Sequence, residues 1–336
     1  MASSIQQSNP SLTRWYIDTR SLTSTTNSLP LLETLRENDQ TAVKKFYHLK
    51  DRHMSLASAF LKYLFIHRTC RVPWSEISIS RTPDPHRRPC FIPPARNGDN
   101  SGGEGGVPIP EIEFNVSHQA SMVAIVGTTI QPPSSSSERG EEGWKKPEVG
   151  VDITCVNERQ NRSGEGRSLI ALRNYIDIFS DVFSAREMED MRSLTGASAE
   201  VRSSEDRLVD YGYRLFYTYW ALKEAYIKMT GEALLAPWLR ELEFSNVVAP
   251  GVESGEGVFG EPYTGVRTTL YKEPVEDVRL EVIALEKDFL FATAARGGSI
   301  GSGSAGGHED TWLPFEKLDI EQDITPCATG TCGCLS

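Results

Sequence analysis

Apolar residues recur along this chain with two periods, and the switches between the periods mark out its elements. Trp15–Asp18 is short and strand-like, and it opens a first block. From about Asp39 to His67 the residues Phe46, Leu49, His53, Leu56, Phe60, Tyr63 and Leu64 fall at helical spacing, which predicts one long helix. Strands follow at Glu76–Ser80, Glu111–Val116 and Ser121–Gly127. A second block repeats the order. Its strand is Glu148–Val156, its helices are Leu169–Phe179, Ala185–Leu194 and Asp206–Thr230, and its closing strands are Arg267–Tyr271, Arg279–Ala284 and Phe289–Ala295. Strand, long helix, then strands, occurring twice, reads as an α+β protein of two similar halves. A ligand site at their interface is the default expectation.

Three stretches break the periodicity: Asn97–Gly106, Gln131–Lys146 and Gly297–Gly307. Gly, Ser, Pro and charge dominate each, so burial cannot offset the entropy of ordering them. They divide the chain into an N-terminal half (1–130), a linker (131–147), a C-terminal half (148–296) and a Gly-rich segment with a cysteine-containing tail (297–336). On this reading, removing Ser134–Glu142 leaves activity nearly intact, and truncation after Glu316 is tolerated.

Composition narrows the function classes. With 39% hydrophobic and 24% charged residues among 336, the chain can bury a core. A net charge of −11 argues against broad binding of nucleic acid. No run of about 18 apolar residues is present to span a membrane. Met1–Pro10 lacks the basic-then-apolar order of a secretory signal, so a cytoplasmic protein is expected. Cys70, Cys90 and Cys155 stand singly and read as buried free thiols in a reducing compartment. Cys327, Cys332 and Cys334 cluster in the tail, but no fourth ligand has zinc-site spacing to them, and they read as dispensable. Gly333 occupies the position that a prenylated cysteine needs.

Charges placed among apolar residues supply the candidate chemistry. The segment Tyr213–Lys228 is apolar nearly all round, yet carries Lys223, Glu224 and Lys228. Phe216, Trp220, Glu224 and Lys228 are four apart and form one helical stripe. An exposed ion pair is the plain explanation; the aromatic residues beneath favour desolvated charges that need a metal, a phosphate or an opposite charge. Asp152 lies on the Gly150, Asp152, Thr154 face of a strand, as either a solvated side chain or a ligand for a hard metal such as Mg²⁺. Asn115, Ser117 and His118 sit where a strand runs into a turn. No G-x-S-x-G accompanies them, so they suit phosphate binding better than nucleophilic catalysis. Arg81, His86, Arg87, Arg88 and Pro89 make a small basic island that suits a phosphate. Neither a Walker P-loop nor a dinucleotide-binding glycine motif occurs.

Taken together, FNVSH at 114–118, GVDI at 150–153 and WALKEAYIK at 220–228 resemble, in order, the signatures of the Sfp-type 4′-phosphopantetheinyl transferases. KKFYHLKDRH at 44–53 and RRPC at 87–90 resemble further elements of that family, in its eukaryotic, fungal, broad-specificity branch. The resemblance implies a pseudo-twofold α+β fold that binds coenzyme A between the halves. It implies transfer of phosphopantetheine to a serine of an apo-carrier protein, with release of adenosine 3′,5′-bisphosphate. It makes Asp152 and Glu224 the Mg²⁺ ligands and Lys228 the lysine near the pyrophosphate. Lys223 becomes an accessory cation, Ser117 and His118 bind coenzyme A phosphate, and Arg88 and Pro89 flank its adenine end. The implied partners are carrier domains of fatty acid synthase, polyketide synthases, nonribosomal peptide synthetases and aminoadipate reductase, met by a monomer. Two departures stand out. Thr154 replaces a second carboxylate, and Ala42 stands where a cation is expected near Lys44 and Lys45. A non-catalytic regulator that binds coenzyme A, and a carrier-binding scaffold, are the alternatives from other classes. Release of the bisphosphate excludes the first, and binding indifferent to Mg²⁺ and coenzyme A marks the second.

Overall fold

A computed structural model describes residues 12–83, 86–94, 108–131, 144–157, 168–232, 236–298, 300–301 and 312–335. In chain order its elements are β1 (Thr13–Asp18), α1 (Arg20–Thr25), α2 (Glu37–Lys44), α3 (Leu49–Cys70), β2 (Ile79–Arg81), β3 (Pro89–Phe91), β4 (Glu111–Gln119), β5 (Met122–Ile130) and β6 (Glu148–Cys155). There follow α4 (Leu169–Asp177), α5 (Ala185–Ser193), α6 (Ala199–Arg202), α7 (Glu205–Thr230), β7 (Leu242–Ser245), β8 (Arg267–Leu270), β9 (Glu273–Pro274), β10 (Val278–Leu285), β11 (Phe289–Arg296), β12 (Glu316–Lys317) and α8 (Thr325–Ala328). Two compact units result. One comprises Met1–Glu148, Gly297–Ile300 and Gly306–Ser336; the other comprises Val149–Arg296 and Gly301–Ala305.

The first unit is built on a sheet of order β12-β1-β5-β4. β4 and β5 form a hairpin whose turn, Ala120–Ser121, has φ of 48° and 74°. Two positive φ values match the right-handed twist of the flanking strands. Helix α3 packs Leu56, Phe60, Tyr63 and Leu64 into one core with Ile17, Phe114, Val123 and Ile125 of the sheet. The helix expected from Asp39 to His67 is in fact two. α2 ends at Lys44, the chain turns through Phe46 and Tyr47 (42% and 88% exposed), and α3 begins after an extended His48. Arg52 Nε donates to the Phe46 carbonyl at 2.7 Å and so satisfies an acceptor at the break.

The tail is part of this unit. β12 lies parallel to β1, with Trp15 opposite Glu316, and the Leu318 N–H donates to the Tyr16 carbonyl at 2.8 Å. Leu318, Ile324 and Cys327 are buried in the same core as α3. The expectation that everything after Glu316 is dispensable is therefore corrected: these residues fill core volume that nothing else would occupy. Ser134–Glu142 lies outside the described residues.

In the second unit a sheet of order β10-β11-β6 carries the 26-residue helix α7. Phe216, Leu222, Ala225 and Met229 of α7 share a core with Val282, Leu290 and Ala292. Gly231 ends α7 with φ 79°, a left-handed cap that glycine adopts without strain. β7, β8 and β9 form a separate small sheet. Both units thus place one long helix against a mainly antiparallel sheet, the α+β class the periodicity indicates.

Candidate functional site

In β6 the two faces are not one dry and one wet. Val149, Val151 and Ile153 are buried, and so are Asp152 (5% exposed) and Thr154 (2%). The solvated reading of Asp152 is therefore excluded. Gly150 is the reason the polar face is covered. A Cβ there would lie 2.1 Å from the Ala225 carbonyl oxygen and 2.4 Å from the Met229 nitrogen. Only glycine lets β6 press against the backbone of α7 this closely.

That contact sets the site. Two residues beyond Gly150, on the same strand face, Asp152 meets α7. Lys228 Nζ donates to Asp152 Oδ1 at 2.7 Å, and Thr154 Oγ1 donates to Asp152 Oδ2 at 2.7 Å. The Asp152 side chain is 7% exposed and that of Lys228 is 28% exposed, so the pair is better shielded from water than a surface ion pair. Glu224, half-buried, lies one turn before Lys228 on the same stripe of α7. Thr154, two residues further along the same strand face, holds the Asp152 carboxylate in orientation. Asp152, on a strand beside the half-buried Lys228 ammonium, and Glu224, one helical turn before Lys228, offer hard oxygen donors of the kind that suits Mg²⁺.

Lys223 belongs elsewhere, which corrects its assignment as an accessory cation toward coenzyme A. It is fully buried, lies 3.0 Å from Glu187 Oε2, and donates to the carbonyls of Leu239 and Leu242. Glu187 also accepts from the backbone N–H of Phe244 at 2.8 Å and of Ser184 at 2.9 Å. Burial pushes the Lys223 ammonium down and the Glu187 carboxyl up from their ordinary values, and their mutual attraction opposes both shifts. The pair ties α5, α7 and β7 together. Its trace in the sequence is the capping-box spacing Ser184-Ala-Arg-Glu187, in which Glu187 follows the N-cap Ser184 by three residues. Truncating one member of a buried pair leaves the other charged and unpaired. Lys223→Ala should therefore destabilise the protein by about 3–5 kcal/mol. A thermal melt that shows no downward shift would contradict this role.

In the first unit β4 continues through Gln119 before it turns, so Asn115, Ser117 and His118 lie in a hairpin strand. Asn115 and Ser117 alternate onto one face and are buried, whereas His118 faces the other way and is exposed. Arg88 lies 3.0 Å from Glu113 Oε1 and 3.8 Å from Glu148 Oε1. Burial raises the Glu113 carboxyl to about 7 despite the opposing attraction of Arg88. Sequence reading did not single out Glu113, because its partner arrives from a loop. Arg81 is exposed and donates to the Arg87 carbonyl at 3.0 Å, and Pro89 opens β3. Lys44 and Lys45 are exposed at the end of α2. Within the units, then, the structure joins Asp152 to Lys228 and sets Asn115 and Ser117 side by side.

Comparison with known proteins identifies the family. Residues 23–130 match the model for the 4′-phosphopantetheinyl transferase N-terminal domain, and residues 148–269 match that for the 4′-phosphopantetheinyl transferase superfamily. The chain is 67% identical to the 4′-phosphopantetheinyl transferase NpgA of Emericella nidulans, over 98% of this chain and 97% of that one. It is 54% identical to 4′-phosphopantetheinyl transferase A of Aspergillus fumigatus, over 99% of each. More distantly, it is 24% identical to the L-aminoadipate-semialdehyde dehydrogenase-phosphopantetheinyl transferase of Schizosaccharomyces pombe, over 61% of this chain and 62% of that one. With two domain models matched in sequence order and near full-length fungal relatives, this chain belongs to the 4′-phosphopantetheinyl transferase superfamily.

Proposed function

We propose that the protein transfers the 4′-phosphopantetheine group of coenzyme A to a serine of apo-carrier domains, using Asp152, Glu224 and Lys228. The supporting observation is the buried Asp152 carboxylate held from both sides by Lys228 and Thr154. Asp152 and Glu224 would hold Mg²⁺, which when bound neutralises charge on the pyrophosphate. The rest of the chemistry falls to the protein's own groups. In the transfer, the serine Oγ forms a bond to the β-phosphorus, and the bond from that phosphorus to the bridging oxygen breaks. Adenosine 3′,5′-bisphosphate leaves with the bridging oxygen and its electron pair. The Lys228 ammonium is the cation placed to meet the negative charge that builds on this oxygen. The serine proton needs an acceptor within hydrogen-bond reach, and Glu224 is the carboxylate assigned to take it.

Asn115, Ser117, His118, Arg88, Pro89, Arg81, Lys44 and Lys45 are assigned to holding coenzyme A. In this role Ser117 forms no covalent intermediate. Carrier domains of fatty acid synthase, polyketide synthases, nonribosomal peptide synthetases and aminoadipate reductase are the proposed acceptors. No disulfide joins the cysteines among the described residues, and we assign the protein to a reducing compartment, the cytoplasm.

The test is release of adenosine 3′,5′-bisphosphate from coenzyme A, followed with and without an apo-carrier and with and without Mg²⁺. Release should require both. Coenzyme A binding without release would favour a regulator, and release in excess chelator without divalent metal would exclude the Asp152–Glu224 metal assignment.

A further inference from the structure

The tail cysteines acquire the fourth ligand that sequence spacing did not offer. His67, in the last turn of α3, brings its Nε2 within 3.1 Å of Cys332 Sγ, across 265 residues of chain. Cys327 Sγ and Cys334 Sγ are 3.7 Å apart. The ligand atoms of His67, Cys327, Cys332 and Cys334 all lie within 4.8 Å of one another. Sulfurs about 2.3 Å from a tetrahedral zinc are separated by about 3.8 Å, whereas a disulfide would bring them to about 2.0 Å. The observed sulfur separation matches the former.

The surroundings are those of a built site. His67 Nδ1 is 2.8 Å from the Val72 carbonyl. A carbonyl only accepts, so in the neutral ring Nδ1 carries the proton and Nε2 presents its lone pair to the cysteines. Metal-bound histidines are oriented by this kind of bond from the far ring nitrogen. The cysteine loop is equally fixed. The N–H groups of Thr331 and Cys332 both donate to the Pro326 carbonyl, at 2.8 and 3.0 Å, and Gly330 takes φ 75° to make the turn. His67 and Cys327 are buried, and Cys332 and Cys334 are half-buried.

We propose that His67, Cys327, Cys332 and Cys334 form a zinc site that fastens the C-terminal tail to the end of α3. Three thiolates and one imidazole are ligands that zinc prefers and Mg²⁺ does not. Four protein ligands leave no open position, so the role is structural. The site is separate from the carboxylates assigned to transfer, and its test does not depend on activity.

The full chain, made without a polyhistidine tag and kept reduced, should contain about one zinc per molecule after desalting. Asp152→Ala should retain that zinc, and the double variant Cys332→Ser/Cys334→Ser should lose it. Because that variant could also lose its fold, the wild-type chain is stripped of metal and titrated with Co²⁺. Visible absorption bands of tetrahedral cobalt thiolate are expected, together with a rise in the thermal midpoint. Three results would each overturn the proposal: a folded, reduced wild type that holds no zinc and gives no cobalt bands, zinc content unchanged in the double variant, or a Cys327–Cys334 disulfide found by mass spectrometry after the thiols are blocked at lysis.

Discussion

Asp152→Ala should lower kcat for phosphopantetheine transfer by on the order of 10²–10³-fold or more, while the protein still folds. The substitution removes a carboxylate that meets Lys228 at 2.7 Å and accepts from Thr154 at 2.7 Å. It thereby takes away a proposed metal ligand and frees Lys228 from the partner that aims it. Lys228→Met should be similarly damaging. The double variant should be little worse than the worse single, because residues that act as one unit are not additive. Glu224→Gln separates binding from proton transfer: it preserves shape and removes basicity, so added Mg²⁺ should restore coenzyme A binding without restoring rate. Single-turnover rates measured alongside circular dichroism test the set. Near wild-type transfer by a folded Asp152→Ala would contradict it.

The second large effect falls on stability. A chain ending at Glu316 loses Leu318, Ile324 and Cys327, which are 2%, 0% and 2% exposed in the core of the first unit. Removing one large buried aliphatic side chain typically costs about 2–5 kcal/mol, against a total stability of about 5–15 kcal/mol. The truncated chain should therefore be largely unfolded or insoluble, and Leu318→Ala alone should lower the thermal midpoint measurably. A soluble truncation with an unchanged melt would show that the tail packs without stabilising.

The same residues explain what could be read in advance. The motif-bearing stripe of α7 and the strand of Asp152 were legible because their period is local, and periodicity reports which residues share a face. Whether that face is wet is a tertiary matter. Asp152 alternates like a solvent-facing residue and is nevertheless buried, because Gly150 admits the backbone of α7. Lys223, next to Glu224, looked equally available, but its partner Glu187 comes from another helix. The break after Lys44 carries no Gly or Pro, and apolar spacing continues through it, so the sequence reads as one helix. His67 lay among the helical positions with no visible role, and its relation to Cys332 exists only once the tail has folded back.

We propose that this chain modifies carrier proteins through Asp152, Glu224 and Lys228. The most direct measurement is the intact mass of a purified apo-carrier after incubation with the protein, coenzyme A and Mg²⁺. Wild type should add the mass of one phosphopantetheine to the carrier, and the addition should vanish when the acceptor serine is replaced. Asp152→Ala and Lys228→Met should leave the carrier at its apo mass over the same interval. An unmodified carrier with wild-type protein across fatty acid, polyketide, peptide-synthetase and aminoadipate-reductase carriers, or equal modification by the variants, would overturn this assignment.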